Sequence, residues 1–159
     1  MEKFSIKNKD IIAIVQATAQ PPENINFENI SDAHNLAKNK HILQPIYDGL
    51  QLANRPAKEF RDYQKQAQKL QLKYGDPKQT DKLREELHKL TQTFEAALDA
   101  ETKRREDFEA AMDKVVDVEL TPINFKAING NGKDLLKFLS DISPVLDFSN
   151  SEAAAEKAK

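Results

Sequence analysis

Lys3, Phe4, Ser5, Ile6 and Lys7 alternate, which places Phe4 and Ile6 on one face of a short strand. Asn8 then offers a helix cap, and Ile11, Ile12, Ile14 and Val15 predict a helix too apolar to lie exposed. Pro21 and Pro22 stop it, because proline disfavours a helical residue before it, and residues 21 to 30 are expected as loop. Ser31 with Asp32 predicts the next helix start, after which Leu36, Leu43, Tyr47 and Leu50 recur at helical spacing. Pro45, Gly49 and Pro56 fall inside this pattern and predict a kink or split between residues 44 and 56. The stripe resumes as Phe60, Tyr63, Ala67, Leu70 and Tyr74. Gly75, Asp76 and Pro77 end it: a glycine able to turn left-handed, then a proline suited to a first helical turn.

A second arm follows. Leu83, Leu87, Leu90, Phe94 and Ala97 keep a heptad seam, which meets Glu101 and Arg104 before resuming at Phe108, Ala111 and Val115. Two amphipathic segments joined by a short loop predict an antiparallel helical hairpin, with Phe60 near Phe94, Tyr63 near Leu90 and Ala67 near Leu87. The same folding sets Glu101 and Arg104 opposite Gly49 to Pro56. Past Asp113 the period drops to two, with Val116, Val118 and Leu120 on one face, so a strand is expected, its natural partner being Lys3 to Lys7. Ile123 to Ile128 reads as a further extended piece, Asn129 to Gly132 as a turn, and Leu135 to Ile142 as a short apolar helix over the sheet. The expected fold is mainly α, of α+β type: a long hairpin over residues 31–113, rooted in a small sheet. Residues 1–148 are expected as a single domain, with 1–30 and 114–148 as its base and 149–159 as a disordered tail.

Composition narrows the chemistry more than it widens it. The 159 residues carry 24 Lys plus Arg against 26 Asp plus Glu, and a net charge of -2 gives no general attraction for nucleic acid or membrane. Cysteine is absent, which excludes thiol catalysis and thiolate metal sites. No apolar run approaches the roughly 18 to 20 residues of a membrane span, and the start MEKFSIKNKD lacks a signal peptide's apolar stretch. No glycine-rich loop, nucleophile elbow or nucleophile and base pairing is present, so the sequence predicts no enzyme and no cofactor. His34 and His41 stand seven apart rather than four, and Glu85 with His88 has the Glu-x-x-His spacing without the second copy a di-iron bundle needs, so no metal is expected. Asn29, Ile30 and Ser31 match a glycosylation acceptor, which has meaning only in a secreted chain.

Charge does reveal one candidate surface. Lys58, Arg61, Lys65, Lys69 and Lys73 step by three and four and so line one helix face. From Lys58 to Lys89 there are nine cations and six anions, while from Thr91 to Leu120 there are four cations and nine anions, a hairpin with a basic tip and an acidic root. Such a stripe is commonly a solvated face; as a binding face it suits an acidic protein surface. Lys103, Arg104 and Arg105 are too few and too mixed with acids to read as a nucleic-acid patch.

The segments KFSIKNKDIIAIV, NLAKNKHILQPIYDGL, the turn after LKYG and the exit FEAAMDKVVDVELTPINF together resemble small helical-hairpin proteins of unknown function encoded by tailed bacteriophages. The resemblance covers most of the chain before Ser149, departing from the shorter members around Asn54 to Lys58 and in a longer second arm. It implies a viral origin and a role in particle structure or assembly, in the host cytoplasm or the virion, and supplies no active site. The expected partner is therefore a viral protein, with self-association open and no membrane contact. A small inhibitor binding a host protein or nucleic acid is the alternative class, the acidic root counting against nucleic acid.

Overall fold

A computed structural model describes residues 1–130 and 132–147 of the chain. The element order begins β1 (Glu2–Lys7), α1 (Asn8–Ala19), β2 (Asn26–Phe27), α2 (Ile30–Ala53), α3 (Lys58–Tyr74) and α4 (Thr80–Thr93). It continues α5 (Glu95–Met112), β3 (Val115–Leu120), β4 (Ile123–Asn124), β5 (Ile128–Asn129), α6 (Gly132–Asp141) and β6 (Leu146–Asp147). The fold is mainly helical with small two-stranded sheets. Residues 1–51 with the described residues from 111 to 147 make one compact unit, and residues 52–110 make another.

In the first unit β1 pairs antiparallel with β3, Phe4 opposite Val118 and Ile6 opposite Val116, as the two alternating patterns predict. The outer face carries polar cross-links: Ser5 Oγ donates to Asp117 at 2.7 Å and Lys3 Nζ lies 3.1 Å from the same carboxylate. The inner face joins a core of Ile6, Ile11, Ile14, Leu36, Leu43, Leu120, Phe138, Ile142 and Val145. Each such side chain contributes roughly 1.5–3 kcal/mol by leaving water. α6 packs against α1. Because α2 buries Leu36 and Leu43 here, those leucines serve this core rather than a hairpin seam.

Several local expectations are corrected. Asn8 does not cap α1; it is buried, its Nδ2 donates to the Ala111 carbonyl at 2.8 Å, and its Oδ1 has no hydrogen-bond partner. Asn29, not Ser31, caps α2: its Oδ1 accepts from the Asp32 N–H at 2.8 Å, and its Nδ2 donates to Asp32 Oδ2. Residues 21–30 contain β2, which pairs antiparallel with β5. A 3₁₀ turn at Phe125–Ala127 separates β4 from β5 where one extended piece is expected, and β4 pairs parallel with β6. The split expected between residues 44 and 56 is present at its far end, at residues 54–57 beside Pro56, while the helix runs through Pro45 and Gly49. The expected disordered tail, residues 149–159, lies outside the described residues.

The second unit holds an antiparallel pairing of α3 with α4. Pro77 opens the first turn as expected, but that turn is 3₁₀, Pro77–Gln79, with the Lys78 N–H accepted by Asp76 Oδ1, and α4 follows directly at Thr80. The ring of Tyr63 meets that of Phe94 at 5.9 Å. Gly75 has an ordinary right-handed backbone; it is needed for close approach, since a Cβ there would lie 2.6 Å from the Gln71 carbonyl oxygen. The second arm is also interrupted at Phe94, between α4 and α5. Thr91 and Thr93 donate their hydroxyls to carbonyls four residues back, which weakens and bends a helix there.

Candidate functional site

Pro56 disfavours a continuing helix and Ala57 stands in extended conformation, so α3 starts afresh at Lys58. Glu59 in its first turn and Lys73 in its last both suit the helix dipole. Its apolar residues turn inward: Phe60 is buried and stacks on Tyr63 with ring centroids 6.1 Å apart. Its basic row turns outward, and Lys58, Arg61, Lys65, Lys69 and Lys73 are all exposed. The first four have no ion pair with any described residue. Lys73 leans over the Tyr74 ring at 4.9 Å, and a hydrogen bond with Tyr74 raises its pKa. From α4, Lys82 approaches the same ring at 5.5 Å.

Leu72 is the residue in this row that the charge pattern hides. It lies seven residues, two helical turns, past Lys65 and is 81% exposed among the lysines. Between α3 and α4 runs a shallow groove of about 350 Å³ with Leu70 and Leu90 at its floor and Lys69, Glu86 and Lys89 at its edge. Lys89 is held by Glu85 at 2.7 Å and Glu86 at 3.1 Å, which lowers the Glu85 pKa and raises its own.

Arg104, expected with Glu101 opposite residues 49–56, meets Ala53 and Asn54. Arg104 Nε and Nη2 each donate to Glu101 at 2.8 Å, and its Nη1 reaches the Ala53 carbonyl at 3.2 Å and Asn54 Oδ1 at 3.3 Å. Arg105 Nε donates to the same carboxylate at 2.8 Å. The Arg104 hydrogen bond is the main cause that holds Glu101 down to about 2, against the opposing effect of its burial. This ion cluster uses two cations of the Lys103 to Arg105 run internally. Beside it Phe60 and Leu98 floor a second groove of about 310 Å³, bordered by Glu106 and Glu109.

The remaining candidates disperse. His34 and His41 are exposed on α2, and His88 Nε2 lies 3.2 Å from Gln92 Nε2 while Glu85 serves Lys89. Among the described residues no three His, Asp or Glu side chains gather as metal ligands would, and no helix is long and apolar enough to cross a membrane. Asn29 spends its amide on the α2 cap. Comparison of the chain with protein-family models, with curated proteins and with solved structures gives no match.

Proposed function

We propose that the protein is a non-catalytic bacteriophage structural or assembly protein that docks an acidic surface of another viral protein through α3. The observation that carries this reading is the row Lys58, Arg61, Lys65, Lys69 and Lys73, exposed and largely unpaired. Five cations over about 22 Å of helix make a local field that the balanced total charge hides. Such a field attracts an acidic surface within a Debye length of about 8–10 Å. The thin packing of the second unit supports the same reading: only Phe60 and Leu90 of its apolar side chains are buried, which leaves half-exposed seam for a partner. The viral assignment rests on the resemblance of the quoted segments to tailed-phage proteins.

The test is a capture from phage-infected cells, with mass spectrometry of purified particles beside it. Wild-type chain is expected to recover capsid or tail proteins, and the double variant Lys65→Glu, Lys69→Glu to lose them with its circular dichroism unchanged. Equal recovery by both forms would remove α3 as the docking face. Loss of all recovery on nuclease treatment would replace the protein partner with nucleic acid.

A further inference from the structure

We infer that α3 of one copy docks on a second copy of this chain, Leu72 entering the groove floored by Phe60 and Leu98. The inference deepens the reading above, resting on α3 as a protein-docking face, and names an occupant for it. Two surfaces of the second unit are complementary in both shape and charge. One is a projection: Leu72 is 81% exposed, and Lys65, Lys69 and Lys73 lie beside it on α3. The other is a recess of about 310 Å³, large enough for a leucine side chain, with an apolar floor and the exposed carboxylates of Glu106 and Glu109 at its rim.

Neither surface is satisfied within one chain. Glu106, Glu109, Lys65 and Lys69 form no ion pair with a described residue. The one cation lining the recess, Arg105, gives its Nε to Glu101 and stands over the Phe60 ring at 5.8 Å. The hydroxyl of the recess is occupied as well, Thr102 Oγ1 donating to the Leu98 carbonyl at 3.0 Å. The knob lies twelve residues, or about 18 Å along α3, from Phe60 in the recess. A single chain therefore cannot fill its own recess with its own knob, and a neighbour can. An apolar anchor inside a rim of paired charges is the usual anatomy of a protein interface, the anchor supplying affinity and the rim supplying orientation and rate.

Sedimentation velocity of the purified full chain across a concentration series tests this. Association is expected at low salt and should weaken at least tenfold when salt is raised several-fold. Leu72→Asp, Lys65→Glu with Lys69→Glu, and Glu106→Lys with Glu109→Lys should each weaken it by tenfold or more. All five positions are exposed, so circular dichroism should be unchanged. Mixing the two charge-reversed variants restores complementary surfaces and should restore association between them. A chain that stays monomeric at all concentrations, variants that associate like wild type, or a mixture that fails to recover would each overturn the inference. A monomeric chain whose α3 reversal still loses viral proteins would sink this inference and leave the proposed function standing. Salt-dependent self-association with undiminished viral recovery by the reversed α3 would do the opposite.

Discussion

At Glu101 a carboxylate only 4% exposed meets two guanidinium groups, an arrangement worth keeping only while the acid is ionised. Its folded pKa of about 2 lies below the ordinary 4.5, so the stability it contributes is present above about 4.5 and is lost as pH falls toward 2. Thermal melts between pH 7 and pH 3 should therefore show a shallower acid slope in Glu101→Gln than in wild type. The variant should also melt lower at pH 7. Some slope will remain in it, since Asp113, hydrogen-bonded by Lys9, and Asp117, hydrogen-bonded by Ser5, also have lowered values. Identical slopes would show that the cluster is not the acid-sensitive element. The residue was visible in the sequence as a polar break in an apolar seam, but not as a buried ion cluster. The available signal was Arg104 and Arg105 at three and four residues beyond it, the spacing at which helical side chains meet. Asn39 was missed altogether: it is fully buried and exchanges two hydrogen bonds with the Thr121 backbone, at 2.7 and 2.9 Å. Its place on the stripe between Leu36 and Leu43 was the clue, an amide where an aliphatic side chain would be expected.

Among elements, the α3 and α4 pairing depends on few side chains. Leu90 is one of two buried apolar residues in the second unit, so Leu90→Ala should cost roughly 2–4 kcal/mol. Lys69→Ala, on the exposed row, should cost little, and equal shifts in denaturant melts would mean that the inward face is misassigned. The two helices were legible because their stripes run for several turns, and β1 with β3 because six residues each suffice to show a period of two. The pairs β2 with β5 and β4 with β6 were not, because two residues cannot display any period and their pairing is decided by the surrounding core. The 3₁₀ form of the turn after Gly75, which Asp76 stabilises, was not legible from Gly75, Asp76 and Pro77. Of the three breakers at Pro45, Gly49 and Pro56, only the last coincides with the split: proline disfavours a helix interior without forbidding it, and α2 continues through Pro45 with Leu43 anchored in the core.

For the molecule as a whole, apolar burial is concentrated in the first unit, whereas the second is held by one buried leucine, one buried phenylalanine and the Glu101 cluster. Hydrogen exchange should follow that division. Amides of α1, β1 and β3 should exchange slowest, and those of α3 and α4 should open at lower free energy; uniform protection across both sets would contradict it. The pairing of β1 with β3 has a further consequence, for the newborn chain. Ser5 and Asp117 are 112 positions apart, so a ribosome adding about 5–20 residues per second completes β3 on the order of ten seconds after β1. Throughout that interval the helices of the second unit can form from neighbouring residues, while Ile6 and the apolar face of α1 wait in water for their partner strand. A message cut short before codon 115 would thus release a chain with well-made helices, an unclosed core and an open strand edge, the kind of fragment that chaperones retain and proteases remove.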